Sequence, residues 1–201
     1  MFIRDEIAHE FLLLAEAMVG EGITRRDALP ASFRREKVVP YRTSWRRYAG
    51  GALFLAHTPD EKVLVTIGEG DPPFYGEVLS AGGCRLGVHP MSGANAAVLR
   101  QLMPFTAPAK LPPAMPSFGC GDRLGLANPG HLQALGNYRV ALVLAQQSIR
   151  ELNLTGRCFG EVIDAATWAV LQEGYERGFG ADGDHLKNLE EVRLMLAAGA
   201  T

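Results

Sequence analysis

Hydrophobic residues in the first part of the chain predict one helix and several short strands. Apolar residues recur at helical spacing over residues 5–19, at Ile7, Phe11, Leu14 and Met18. Two apolar runs, Ala52–His57 and Val63–Ile67, flank a turn-forming segment at Thr58–Glu61, which predicts a β-hairpin. Another strand is expected near Cys84–His89. Together these elements indicate a small α+β region.

The pattern changes after Pro104–Pro116, a segment with five prolines that is predicted to be a linker. Ser117–Leu126 is predicted to be a strand that leads into a loop. One long helix is then expected from Asn128 over five turns, its face carried by Leu135, Tyr138, Leu142, Ala145, Ile149 and Leu152. A second helix is expected over Phe159–Tyr175, followed by a short strand over Gly178–Asp182. The predicted order in this half is therefore strand followed by long helix, repeated.

Strands that alternate with helices favour an α/β arrangement with parallel strands. Two such units are too few to close a barrel, which takes roughly 200 residues or more by itself. We therefore predict a small amino-terminal α+β region over residues 1–110, followed over residues 111–201 by the first strand–helix units of an incomplete TIM-type barrel. The chain is then expected to be a fragment with uncovered apolar surface, at residues such as Leu142, Val143, Val170 and Leu196.

The composition narrows the class of protein. The net charge is −2 and the pI is about 6.2, so the charge balance gives no reason to expect a nucleic acid or membrane partner. The chain has no apolar run of the roughly 20 residues that a membrane span needs, and its start does not resemble a secretory signal. The three cysteines include no CxxC pair, which excludes a zinc ribbon. A reduced, cytoplasmic protein is expected, with the arginine-rich stretch from Arg25 to Arg47 as solvated surface.

Reactive side chains are densest in the segment Asp182-Gly183-Asp184-His185, with Lys187 just beyond it. The segment follows a predicted strand, and the carboxyl ends of the strands form the active-site face of a TIM-type barrel. A carboxylate beside an imidazole suits a divalent cation together with a base. A loop with ordinary helix-capping acids is the alternative interpretation. The glycine spacing over residues 178–183 matches a dinucleotide fingerprint, but the preceding residues are polar and helical, which excludes it.

A second cluster, Gly119–Arg123, lies at the end of the other predicted strand. Asp122 and Arg123 are expected at the same edge as Asp184, as substrate-binding residues. Glycines let the backbone approach a ligand closely, and arginine is well shaped to hold a carboxylate. An Asp–Arg pair that braces a turn explains the residues equally well.

Four ordered blocks resemble the tagaturonate epimerase family, namely PSFGCGDRLGLANPGH (Pro116–His131), LAQQSIRELNLTGR (Leu144–Arg157), DAATWAVLQEGY (Asp164–Tyr175) and GFGADGDHLKNLEEVR (Gly178–Arg193). The resemblance implies an isomerase that interconverts D-tagaturonate and D-fructuronate in hexuronate catabolism, with a small ketouronate as substrate and a divalent metal cation as cofactor. It also implies that Asp184 is the proton acceptor and that His185 is the first metal ligand. The other ligands and the proton donor of the family lie further along, so the 201-residue chain alone is expected to be inactive.

Two questions stay open at the level of sequence. The two ketouronates differ at a hydroxyl-bearing carbon β to the ketone, so simple enolisation cannot invert it. Retro-aldol cleavage with re-addition, or a less direct proton transfer, could do so. The alternative functions are another metal-dependent aldolase or isomerase of sugar acids, or a non-catalytic fragment or binding module.

Overall fold

The computed structural model of the chain describes residues 4–22, 28–30 and 32–201. Within the arginine-rich stretch, Arg25 and Arg26 lie outside the described residues. The chain divides into two compact units, Met1–Val98 and Leu99–Thr201. This division falls earlier in the chain than residue 110, where the composition places the domain boundary.

The first unit is an antiparallel sheet with one long helix. The helix α1 spans Asp5–Gly20, close to the prediction from its apolar spacing. Six strands follow, β1 Val39–Pro40, β2 Arg46–Tyr48, β3 Gly51–His57, β4 Lys62–Gly68, β5 Glu77–Ala81 and β6 Cys84–Pro90. Their order in the sheet is β1-β3-β4-β6-β5, with β2 also paired to β3. The apolar face of α1 packs against buried residues of this sheet in a single hydrophobic core.

The predicted hairpin is present as β3 and β4. Their pairing begins with His57 and Lys62 next to the turn and extends to Ala52 and Ile67. Thr58 closes the turn, because its backbone N–H donates to the Glu61 carbonyl over 2.9 Å and its hydroxyl accepts from the Glu61 N–H over 3.1 Å. Turn chemistry and apolar patterning agree here, which explains why the sequence predicts both strands.

His89 on β6 makes the stability of the first unit dependent on pH. Its side chain is fully buried, with Nε2 2.9 Å from the Thr66 hydroxyl oxygen, and burial lowers the pKa of His89 to about 4. An unfolded histidine takes up a proton near pH 6.5. As the pH falls from 6.5 towards 4, the unfolded chain therefore gains protons before the folded chain does. About 3 kcal/mol of folding free energy should be lost across that window.

Urea unfolding of the chain at about pH 7 and about pH 4.5 measures this loss. We expect His89→Gln to flatten the dependence, and the exposed His57→Gln to leave it unchanged. An equally steep pH dependence in the His89 variant would show that other groups carry it.

The second unit is a three-stranded parallel sheet with helices. A helix at Gly93–Leu102, α2, spans the division between the units. The strands are β7 Ser117–Gly121, β8 Ala141–Ser148 and β9 Phe179–Asp184, in the order β7-β8-β9. The helices are α3 Asn128–Leu135, α4 Ile149–Thr155, α5 Phe159–Glu173 and α6 Leu189–Ala198. Buried residues of the strands and of α3 to α6 form one core.

The predicted five-turn helix beginning at Asn128 is wrong. Helix α3 ends at Leu135, where the N–H of Gly136 donates to the Leu132 carbonyl over 2.7 Å, and the central strand β8 follows. The apolar run of β8 shows no alternation because both neighbours are parallel strands and both of its faces are largely buried. Such a run cannot be distinguished from a buried helix by periodicity.

The incorrect helix prediction also explains why part of the predicted exposure of apolar residues is wrong. Leu142 is fully buried because it lies in the central strand, and Val170 is fully buried on the core-facing side of α5, so both expectations are wrong. Leu196 on α6 is 61% exposed, as expected, and Val143 is partly buried.

Candidate functional site

Polar side chains gather where the three parallel strands of the second unit end. Because β7, β8 and β9 run in the same direction, their last residues, Gly121, Ser148 and Asp184, lie at one edge of the sheet. Ser148 is paired directly with Asp184. The loops after β7 and β9 therefore share an edge, as the sequence predicts. They are separated by β8, whose carboxyl end becomes the middle of the site.

Asp184 and His185 form the β9 part of the site. The side chain of His185 is 81% exposed, and its Nε2 lies 3.5 Å from Oδ2 of Asp184. Among the described residues, His185 is the one non-glycine residue with a positive φ, at 54°. Left-handed backbone at a residue other than glycine costs free energy and is found disproportionately at functional sites. The backbone thus holds the imidazole in an exposed position next to a carboxylate.

Asp122 is buried at the start of the β7 loop, with 3% of the residue exposed. Its Oδ1 accepts the backbone N–H of Leu126, and its Oδ2 accepts those of Ala127 and Asn128, each over 2.9 Å. The carboxylate therefore satisfies three backbone amides at and just before the first residue of α3. This arrangement matches the turn-bracing alternative for Asp122, although Arg123 takes no part in the bracing.

Arg123 projects from the same loop towards β8. Its Nε donates to Oε1 of Glu151, whose backbone N–H and carboxylate also form a capping box with Ser148 at the start of α4. Burial alone raises the pKa of Glu151, but hydrogen bonds from Ser148 and Arg123 outweigh burial and lower the pKa below its ordinary value. Glu151 is therefore an anion that joins the β7 loop to the end of β8. The side chain of Arg123 remains 72% exposed, so its guanidinium can still receive a ligand carboxylate.

Two cavities open at this edge of the sheet. One of about 1090 Å³ is lined by residues of β8, α4 and the β9 loop, among them Ser148, Glu151, Asp184 and His185. The other, of about 500 Å³, lies at the ends of β7 and β8, and Arg123, Glu151 and Asp184 line both. Volumes of roughly 300–1,000 Å³ are typical of small-molecule sites. The predicted residues Asp122, Arg123, Asp184 and His185 thus all line one or both cavities.

The contribution of β8 to the site was missed by sequence reasoning. Gln146 donates from Nε2 to Oδ2 of Asp182 over 3.4 Å, and Gly119 provides the space for it, since a Cβ there would lie 2.3 Å from the Gln146 Oε1. Gln147 and Glu151 also line the smaller cavity. The signal was the polar end of the apolar run, Gln146-Gln147-Ser148, which becomes informative only once the run is assigned to a strand.

A divalent cation could use His185 as one ligand, with the carboxylate of Asp184 beside it as a base. Within residues 4–22, 28–30 and 32–201, no three His, Cys, Asp or Glu side chains gather as a complete metal site. A catalytic metal usually takes about three protein ligands.

The described part of the chain also has no helix that is long and apolar enough to span a membrane.

Comparison with known proteins agrees with the resemblance. Residues 41–201 match the tagaturonate epimerase family. The chain is 38% identical over 163 residues to a tagaturonate/fructuronate epimerase of Thermotoga maritima, which covers 80% of this chain and 34% of that protein. A glycerol-complexed crystal structure of the fructuronate-tagaturonate epimerase of Cohnella laeviribosi superposes with a TM-score of 0.76 at 42% identity, covering 82% of this chain and 33% of that one.

The native crystal structure of the same Cohnella laeviribosi enzyme has a TM-score of 0.75 at 39% identity, and the match covers 92% of this chain and 36% of that one. The chain therefore spans about a third of the length of the relatives that it matches. The family match covers most of the chain and includes all three strands that build the site. The chain belongs to the tagaturonate epimerase family.

Proposed function

We propose that this chain provides the amino-terminal part of a metal-dependent isomerase that interconverts D-tagaturonate and D-fructuronate. The observation that carries the proposal is the placement of Arg123, Asp184 and His185 around two cavities that share lining residues at one edge of three parallel strands. Family membership and the names of the relatives support the substrate class. The free cysteines and the catabolic reaction favour a cytoplasmic location.

The three parallel strands are proposed to be the first strands of a TIM-type barrel. Their order along the sheet follows their order in the chain, as in a barrel. The outer edge of β9 is engaged by Thr201, whose N–H donates to the Ala181 carbonyl over 2.9 Å. Large apolar side chains on α6 are exposed, namely Leu189, Leu194 and Leu196. Relatives about three times as long have enough chain to supply the other strands, and the domain boundary at residue 110 stays a prediction.

Each side chain at the edge takes one role in this scheme. Arg123 holds the substrate carboxylate through its exposed guanidinium, while Asp122 keeps the loop in shape. Asp184 accepts a proton from the substrate, and His185 is one ligand of the divalent cation. When bound, the cation supplies Lewis-acid stabilisation of developing negative charge on the ketone oxygen.

In the retro-aldol route, Asp184 takes the proton of the hydroxyl on the carbon that is inverted. The bond between that carbon and the carbon next to the ketone breaks, which leaves an aldehyde and an enolate. Rotation of the aldehyde and re-formation of the bond, with return of the proton, gives the epimer. A less direct proton transfer is the alternative route for the epimerisation. The alternative functions are another aldolase or isomerase of sugar acids, or a binding module.

The decisive experiment measures epimerase activity and metal content in a protein of the relatives' full length that contains this chain. We expect interconversion of tagaturonate and fructuronate, with His185→Ala and His185→Gly both lowering the bound metal measured by elemental analysis. His131→Ala on α3 is the control, because His131 lines neither cavity. Full metal occupancy in both His185 variants would remove His185 from the coordination shell.

The same two variants test the backbone strain. The left-handed conformation has a steric cost of about 1 kcal/mol for a residue with a Cβ atom, and glycine lacks that steric cost. His185→Gly should therefore unfold at a higher urea concentration than His185→Ala, because φ is 54° at this position. Equal midpoints would mean that the loop relaxes out of the left-handed region.

A further inference from the structure

The side-chain amide of Gln147 lacks hydrogen-bond partners in spite of its burial. Gln147 lies next to the last residue of β8 and is 1% exposed. Both Nε2 and Oε1 are buried, and neither has a hydrogen-bond partner. A buried polar atom without a hydrogen-bond partner destabilises the fold, because its hydration is lost and not replaced. Native proteins rarely keep such groups unless water, an ion or a ligand completes them, or function requires them.

Gln147 is part of the lining of the 500 Å³ cavity at the ends of β7 and β8. The same cavity is lined by Arg123, Gln146 and Asp184, so it combines a guanidinium, a second carboxamide and a carboxylate. These four residues are here called the amide subsite. Two glutamines, an arginine and an aspartate at one cavity favour a ligand with several hydroxyl groups and a negative charge.

We infer that the amide subsite binds the hydroxyl-bearing part of a polyhydroxy carboxylate, with Gln147 as a hydroxyl-binding residue. This inference deepens the proposed function and rests on it for the identity of the substrate. A carboxamide offers two N–H donors and one oxygen acceptor, and a sugar hydroxyl both donates and accepts. Arg123 lies at the same cavity and provides the complementary charge for the ligand carboxylate.

The side chains of Gln146 and Gln147 differ in whether a ligand must break an existing hydrogen bond to bind them. Gln146 already donates to Asp182, so a ligand must compete with that bond. Gln147 has no hydrogen bond to break. The last torsion of a glutamine side chain has a broad energy profile, so its carboxamide can turn towards an entering hydroxyl at small cost. A hydroxyl that reaches it relieves the unsatisfied amide.

Nitrogen-15 NMR of the side-chain amides tests this role in the 201-residue chain, with D-gluconate as the probe. Gluconate is a polyhydroxy carboxylate without a ketone, so neither epimerisation route applies to it. We expect gluconate to shift the Gln147 amide signals, which the Gln147→Met spectrum identifies by their absence. D-sorbitol, which lacks the carboxylate, and propionate, which lacks the hydroxyls, should both bind more weakly.

Gln147→Met should weaken gluconate binding about tenfold, as expected for the loss of one or two neutral hydrogen bonds. Its thermal unfolding midpoint should not fall, because methionine removes an unsatisfied amide at similar length. Gln133→Met is the matched control, since Gln133 is an exposed residue of α3 that donates to Glu173. It should leave gluconate binding unchanged.

Three results would overturn the inference: no gluconate-dependent shift of the Gln147 amide, unchanged affinity in Gln147→Met, or a clear loss of thermal stability in that variant. The last would show that the amide is satisfied within the fold. Epimerase assays of the full-length protein distinguish a failure of the proposed function from a failure of the amide subsite. Gln147-dependent gluconate binding without epimerase activity would remove the proposed function alone, and activity with normal KM in Gln147→Met would remove the subsite alone.

Discussion

Asp184→Asn is expected to retain the bound metal and to lose turnover in a full-length epimerase that contains this chain. The side chain lies at the end of β9, beside His185 and within both cavities. Asparagine keeps the shape of the side chain but cannot accept the substrate proton. General-base catalysis typically contributes about 10²- to 10⁴-fold to the rate, so kcat should fall by that factor. A product assay, read beside elemental analysis of the same preparation, measures both quantities.

Asp71→Asn is a suitable control because it makes the same change at an exposed carboxylate of the first unit, which pairs with Arg85. It should leave both kcat and metal content unchanged. If Asp184→Asn turns over at the parent rate, the base is another group. If it loses the metal as well, Asp184 is a ligand rather than a free base.

Asp122→Ala is expected to cost about 3 kcal/mol of unfolding free energy. The substitution removes the acceptor of three backbone N–H groups, those of Leu126, Ala127 and Asn128, the last of which belongs to a buried residue. It also removes a negative charge from the N-terminus of α3, which adds a smaller loss. Asp122→Asn keeps one oxygen acceptor and should lose about half as much. Urea unfolding of the 201-residue chain measures both variants.

Asp182→Ala provides the comparison at the same edge of the sheet. Asp182 is an exposed residue of β9 whose carboxylate accepts a long hydrogen bond of 3.4 Å from Gln146. Its replacement should change the unfolding free energy by no more than about 0.5 kcal/mol. A small loss in Asp122→Ala would mean that water replaces the carboxylate, and the loop does not depend on it.

Local signals made several elements predictable. Helix α6 follows Asn188, whose side chain accepts the Glu191 N–H over 2.9 Å, and this residue pair is a local signal for the start of a helix. Helix α5 ends at Glu173, and the left-handed backbone of the next residue, Gly174, closes it near the predicted end at Tyr175. Strand β8 was not predictable in the same way. Its burial comes from β7 and β9, which are distant in sequence, and α4 continues the same apolar spacing directly after it.

The site residues likewise include some that the sequence could predict and others that it could not. Asp122, Arg123, Asp184 and His185 could be assigned to a common edge because parallel strands all end at one side of a sheet. The bracing role of Asp122 depends on a loop that folds back onto its own carboxylate, and loop conformation leaves no periodic signal. The participation of Glu151 required knowing that β8 lies between the other two strands.

The double engagement of Glu151 couples two parts of the molecule that substitution experiments usually treat separately. One carboxylate completes the capping box of α4 with Ser148 and also holds the Nε of Arg123. Effects of changes at residues 123, 148 and 151 should therefore not add, and a double-mutant cycle is needed to apportion them. Over evolutionary time, a substitution at Glu151 changes the background on which each of its partners can vary.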